Sequence, residues 1–250
     1  MTKEVVAVTS TKQGYKRVFL DTCILSEIGR MKKSDRGDLL YRFIVEAKYQ
    51  LVMTPFQVLE LTDIPDKQWM DNIFDFLNGA YVGMTKNIDD VVSAEIAMYH
   101  THGFVDAVAF PLSLAQKARD GKSMNFRAFL DTLLHNPLFI RSSKDHADGI
   151  AAIQQKKWPP VNTDTLFSTI IFNKIYKLDP DFLKSLDGEM IDYNRIPSFV
   201  TWAYCYAHKV YSSGLQRKAK EMNDVAMLYI APYMDIVVTD RKQAASYEEI

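Results

Sequence analysis

Cysteine is scarce in this sequence: Cys23 and Cys205 are the only two, and neither belongs to a CxxC pair. They make no disulfide framework, which fits a reduced, cytosolic setting with both thiols packed rather than nucleophilic. Net charge is almost absent as well, at -1, so there is no global basic field. Any contact with nucleic acid would rest on local patches. The N-terminal MTKEVVAVTSTKQGYKR has charges on both sides of a very short apolar piece and lacks the core of a signal peptide. The longest uncharged stretch, 196–208, is too short to cross a bilayer as a helix, so no membrane segment is expected. Internal repeats and low-complexity segments are also missing.

Within those limits the composition is that of a soluble globular protein. Apolar residues make up 48% and charged residues 24% of 250 positions, enough for one or two domains with a good core.

The most informative stretch lies near the end, 221–241, EMNDVAMLYIAPYMDIVVTDR. It opens as an amphipathic helix with Val225, Leu228 and Tyr229 on one face, and Pro232 is expected to stop that helix. Ile236, Val237, Val238 and Thr239 then form a β-branched run of the kind that fills a central parallel strand buried on both faces. Asp240 follows directly. One other place repeats this arrangement, Val18-Phe19-Leu20-Asp21, which predicts two neighbouring strands. At the carboxyl ends of adjacent strands in an open parallel sheet, Asp21 and Asp240 would converge on the crevice where ligands bind. Two anions that close favour a bound cation.

Read in order, the chain has a polar lead-in with a marginal strand at 5–9, then the strand 17–20. Thr22 and Ser26 lie just beyond Asp21, where a hydroxyl could orient a carboxylate; Thr22 reads equally as a helix cap. A helix is predicted at 35–48, a strand at 51–53, and a helix start at Thr54-Pro55, a capping hydroxyl followed by proline. This βαβα order signals a parallel sheet. Glu60, on the helix that opens at Thr54, either points into the crevice or is a surface glutamate, the favoured reading from sequence alone. A helix at 69–77 and a strand at 80–84 follow. From 88 to 214 strand signals fade, and helices are expected at 88–99, 123–134, 147–155, 166–178 and 199–211.

Asp224, near the start of the last helix, adds an acid where the helix dipole favours one, or it is only a capping carboxylate. The set Asp21, Glu60, Asp224 and Asp240 offers oxygen ligands without a nearby His or Cys. That donor set implies Mg²⁺ or Mn²⁺ rather than Zn²⁺, and with it the machinery of phosphodiester hydrolysis. Arg217, Lys218 and Lys220 before Asp224, and Arg241 after Asp240, either steer a polyanion toward the acids or form a solvated face. His100 and His102 have no third ligand at suitable spacing, and His135, His146 and His208 are scattered. Asp21-Thr22-Cys23 does not suit a phosphatase nucleophile loop, which needs an acid where Cys23 stands.

VFLDT, a Glu on the helix after the second strand, NDVAMLYIAPYMDIVVTDR and the βαβα order together resemble a PIN domain. The resemblance implies an α/β fold in two parts, 17–84 and 215–250, separated by a helical insertion at 85–214. With only ten residues after Asp240, the fifth strand expected at the sheet edge is either absent or supplied by the insertion. The resemblance further implies a metal-dependent endoribonuclease, in the manner of a toxin or defence effector, with RNA as substrate and a protein inhibitor or antitoxin as partner. Asp21, Glu60, Asp224 and Asp240 would carry the metals, and Thr239 would orient Asp240. Two alternatives stand beside it: a non-catalytic PIN-like module binding RNA or protein, and a nuclease for single-stranded or flapped DNA.

Overall fold

The structure is a computed structural model of the chain. It describes residues 15–30, 49–101, 162–212 and 224–240, with positions 39, 40, 42–44, 46, 47, 105, 108–110, 135–137 and 244 between and after them.

Alternation of apolar side chains along short strands gives the sheet two covered faces. The described elements run β1 (Lys16–Leu20), α1 (Thr22–Arg30), β2 (Tyr49–Met53), α2 (Pro55–Thr62), α3 (Lys67–Gly79), β3 (Tyr81–Thr85), α4 (Ile88–Met98) and β4 (Val108–Phe110). They continue with α5 (Thr163–Leu178), α6 (Pro180–Ser185), α7 (Pro197–Ser212) and β5 (Ile236–Val238), with 3-10 turns at Tyr193–Arg195 and Leu228–Tyr233. The strand order is β4-β3-β2-β1-β5, with β1, β2, β3 and β5 parallel and β4 antiparallel to β3. This is an α/β fold.

Val18, Leu20, Leu51, Met53, Val82 and Met84 point to one face, where they pack with Leu25 and Ile28 of α1, Val58 and Leu61 of α2, and Ile73, Phe76 and Leu77 of α3. Phe19 and Val52 point to the other, against Val91 of α4 and Met227, Tyr229 and Ile230. Period-two alternation thus distributes each strand between two cores. The side chains of α4 also reach a third apolar cluster, in which Val92 and Ile96 meet Ile171, Ile175, Phe182 and Phe199. Leu166, Cys205 and Tyr206 join Val225 and Leu228 in a fourth. Residues 225–230 therefore stand between the sheet and the helices of 163–212.

Three expectations are corrected here. The 236–239 run is not a central strand: β5 lies at the sheet edge, and Ile236, Val237 and Val238 are each half-buried. Pro232 does not simply end a helix; residues 224–227 are helical, and the chain then tightens into the 3-10 stretch Leu228–Tyr233, which contains Pro232. Proline's fixed φ falls within the range of a 3-10 turn, so the tighter backbone takes Pro232 with the loss of a single N–H donor. The region 88–214 is not wholly without strands, because Val108–Phe110 pairs with β3. Three residues are too few for the alternation to register in the sequence. It makes a fifth strand supplied from between β3 and α5, at the edge opposite β5.

The predicted helices at 88–99, 166–178 and 199–211 are present as α4, α5 and α7. Those at 123–134 and 147–155, and the marginal strand at 5–9, lie outside the described residues. Of the helix predicted at 35–48, the described residues 39, 40 and 42–44 are helical.

Candidate metal centre

Register brings the two strand-end acids together. Val18 pairs with Ile236, Phe19 with Val237 and Leu20 with Val238, and the next backbone bond runs from Asp21 N–H to Val238 O at 2.9 Å. At the other end of the seam, Arg17 N–H donates to Asp235 Oδ2 at 2.7 Å and Asp235 N–H donates to Arg17 O at 3.0 Å. That pair of bonds locks β5 against β1 with Thr239 opposite Asp21 and Asp240 one residue beyond. Connections leave β1 toward β2 on one side, while β5 lies on the other, so these carboxyl ends form the topological switch point of the sheet.

Asp21 ends β1 and begins α1. Its backbone carbonyl accepts from Ile24 N–H at 2.9 Å and Leu25 N–H at 3.1 Å, and the residue as a whole is 3% exposed. A buried carboxylate needs hydrogen-bond partners. Thr239 supplies one: its Oγ1 donates to Asp21 Oδ2 at 2.7 Å. This corrects the expected role of Thr239. A hydroxyl has one proton to give, and here it goes to Asp21, not Asp240. Thr22 also departs from expectation, since its hydroxyl faces Met227 Sδ at 4.0 Å.

Beside Asp21, in the first turn of α1, stands Cys23. Its sulfur and one carboxylate oxygen each from Asp21 and Asp240 lie within 4.8 Å of one another. Asp240 and Cys23 are exposed, so the group opens to solvent. Partial desolvation of the sulfur pushes the Cys23 thiol up to about 12, helped by the charge of Asp21, its hydrogen bond to Asp21, and the charges of Asp240 and Asp224. Asp224 is thus close enough for its charge to act on the thiol, although it falls outside the three-donor group. It is half-buried within the helical residues 224–227.

Glu60 is also outside that group. It is half-buried on α2, three residues after Gln57 and therefore on roughly the same helical face. Gln57 itself was not singled out by sequence reasoning, and it shapes the crevice. Its backbone N–H donates to Thr54 Oγ1 at 3.3 Å while Thr54 N–H donates to its Oε1 at 3.0 Å, a reciprocal capping box. Its Nε2 donates to Leu20 O at 2.5 Å. In the β1–β2 register, Thr54 N–H and Leu20 O would form the next ladder bond. The Gln57 amide stands between them and bonds to both, so β1 and β2 part where the crevice opens.

The sequence signal for Gln57 was present, as a capping hydroxyl followed three residues later by Gln. The signal for Cys23 was its place two residues after Asp21. Two expectations about cysteine are therefore corrected: Cys23 is not packed, and the acids do have a thiol beside them. Cys205 is buried, as expected.

Arg217, Lys218, Lys220 and Arg241 lie outside the described residues, as do His102 and His146. His100 is exposed and bonds through Nε2 to Ser185 Oγ at 2.8 Å, while His208 stacks on Tyr204. No described helix is long and apolar enough to cross a membrane.

The three-donor group has the chemistry of a metal site. Asp21, Cys23 and Asp240 could hold a divalent cation, with the Asp21 carboxylate fixed by Thr239 and the open side facing solvent. No family model, no curated protein and no solved structure matches the chain.

Proposed function

We propose that the chain is a PIN-like, divalent-metal-dependent endoribonuclease whose metal is Mg²⁺ or Mn²⁺. The observation that carries this reading is the meeting of Asp21 and Asp240 at the carboxyl ends of neighbouring parallel strands, their oxygens grouped within 4.8 Å. A divalent ion bound there would make water more acidic and offer a contact for a phosphate oxygen.

The chain's own part is positioning. Thr239 and the α1 backbone hold Asp21 in one orientation, Asp240 supplies a second carboxylate on the solvent side, and Asp224 adds negative field nearby. Glu60 is assigned as a further acid on the crevice face of α2, one turn beyond Gln57. Arg217, Lys218, Lys220 and Arg241 flank these acids in the sequence and would steer the phosphate backbone. A toxin or defence role, with a protein inhibitor as partner, belongs to the same proposal.

The test is cleavage of mixed structured and single-stranded RNA with Mg²⁺ or Mn²⁺, comparing the unaltered chain with Asp21→Asn and running matched DNA in parallel. Metal-dependent cutting of RNA that vanishes in the variant supports the reading. Cutting of DNA alone changes the substrate. Metal binding with no cutting of either nucleic acid leaves a non-catalytic binding module.

A further inference from the structure

We propose that Cys23 is itself a metal ligand, so that the centre is a mixed thiolate and carboxylate site that selects Mn²⁺ and softer divalent ions over Mg²⁺. This rests on the reading of Asp21 and Asp240 as metal-binding acids and goes beyond it by adding a donor and a selectivity.

The argument begins with distances. Ligands on a common ion sit about 2.0–2.2 Å from it through oxygen and about 2.3 Å through sulfur, so two donors can be at most roughly 4.5 Å apart. The Cys23 sulfur and the two carboxylate oxygens already lie within 4.8 Å of one another, and a small contraction brings all three onto one ion. Two of the three are held by the backbone that places them. Asp21 closes β1 and accepts the first α1 hydrogen bonds, and Cys23 follows two residues later in the same helical turn. The β1–β5 register then delivers Asp240 from the neighbouring strand.

Chemistry decides what the third donor does. Carboxylates alone suit hard cations, whereas a thiolate, formed as the bound ion displaces the Cys23 S–H proton to solvent, adds preference for Zn²⁺, Co²⁺ and Fe²⁺, and for Mn²⁺ over Mg²⁺. Packing accounts for only part of the thiol's placement, because its sulfur is partly desolvated while Cys23 as a residue is exposed. Cys205, the other cysteine, is buried among Leu166, Tyr206 and Val225, in a different apolar cluster. It is a built-in control.

The experiment uses the full chain titrated with Co²⁺, read by optical absorption and by calorimetry. Sulfur coordination gives a near-ultraviolet charge-transfer band that carboxylate coordination does not. The expected result is a band in the unaltered chain and in Cys205→Ala, lost in Cys23→Ser and Cys23→Ala. Calorimetry should show Co²⁺ and Mn²⁺ binding weakened at least about tenfold in Cys23→Ser, as loss of even an outer partner commonly does, with Mg²⁺ binding little changed.

Co²⁺ bound without the band would overturn the proposal and leave the acidic centre standing, with Cys23 only a hydrogen-bond donor to Asp21. A band that survives in Cys23→Ser would also overturn it. No Co²⁺, Mn²⁺ or Mg²⁺ bound by the unaltered chain would remove both this proposal and the metal-dependent reading beneath it. Thermal melts of both Cys23 variants show whether a lost band reflects a lost fold.

Discussion

The hydroxyl of Thr239 reaches across the seam between β1 and β5 and donates to Asp21 Oδ2 at 2.7 Å. The residue before one strand-end acid thus orients the other. Thr239→Val keeps the shape and removes the donor. Metal affinity is expected to fall by about 10- to 100-fold, in line with loss of an outer-shell partner, with the melting transition displaced only slightly. Calorimetric titration with Mn²⁺ checks this; unchanged affinity would mean that the acid needs no such support.

Gln57 is fully buried and bonds to both Thr54 and Leu20. Gln57→Glu retains the acceptor for Thr54 N–H but faces the Leu20 carbonyl with oxygen where a donor stood. Orphaning a buried acceptor costs about 1–3 kcal/mol, and burying an added charge makes that a lower bound. Urea unfolding of the two proteins provides the comparison. Equal midpoints would show that the amide does not bridge the strands in solution.

Glu95 of α4 is 1% exposed and accepts from Ser198 N–H at 2.8 Å, Phe199 N–H at 3.3 Å and the Tyr233 hydroxyl at 2.7 Å. It caps the start of α7 and ties it to the 3-10 stretch before β5. Burial pushes its carboxyl above the ordinary 4.5, against the opposing pull of these hydrogen bonds. A raised folded value means that the folded chain holds the proton more tightly. Its stabilising contribution is therefore full below 4.5 and is lost as pH rises through the folded value. Glu95→Gln has no such titration. The stability of the unaltered chain relative to Glu95→Gln should decline from pH 4.5 upward, measured as unfolding midpoints over a pH series. Parallel profiles would contradict it.

Gly29 of α1 lies directly against α3. A Cβ there would stand 2.9 Å from both Trp69 O and Ile73 Cγ1. The Asn72 side chain, donating to Gly29 O at 2.7 Å, holds the two helices at that spacing. Because one obstacle is backbone, Gly29→Ala is expected to destabilise by about 1–3 kcal/mol through overpacking. A thermal melt tests this, and a gain in stability would show that the helices separate freely.

The parallel strands were legible because each is a short apolar run, and the two acids were legible because each follows such a run without a gap. Their adjacency followed from the matching pattern of 18–21 and 237–240. What remained hidden depends on partners distant in sequence. The edge position of β5 is set by strand order, which its own composition does not encode. The proton of Thr239 chooses Asp21 across 218 residues of chain. Cys23 looked like a packed thiol because scarcity says nothing about position, and its meaning comes from the turn that brings it back over Asp21. The antiparallel β4 was too short to leave a pattern.

The Gln57 amide also has a consequence for how the molecule folds. The same side chain closes the first turn of α2 and bridges to a carbonyl 37 residues earlier. Helix initiation and β1–β2 registry are therefore completed together: an isolated α2 forfeits one partner, and a slipped β1 forfeits the other. Closing so large a loop costs chain entropy, and the amide couples that cost to a local event which is itself unfavourable alone. The expected behaviour is a single cooperative transition for β1, β2 and α2, with no stage at which the helix start is formed and the crevice is not.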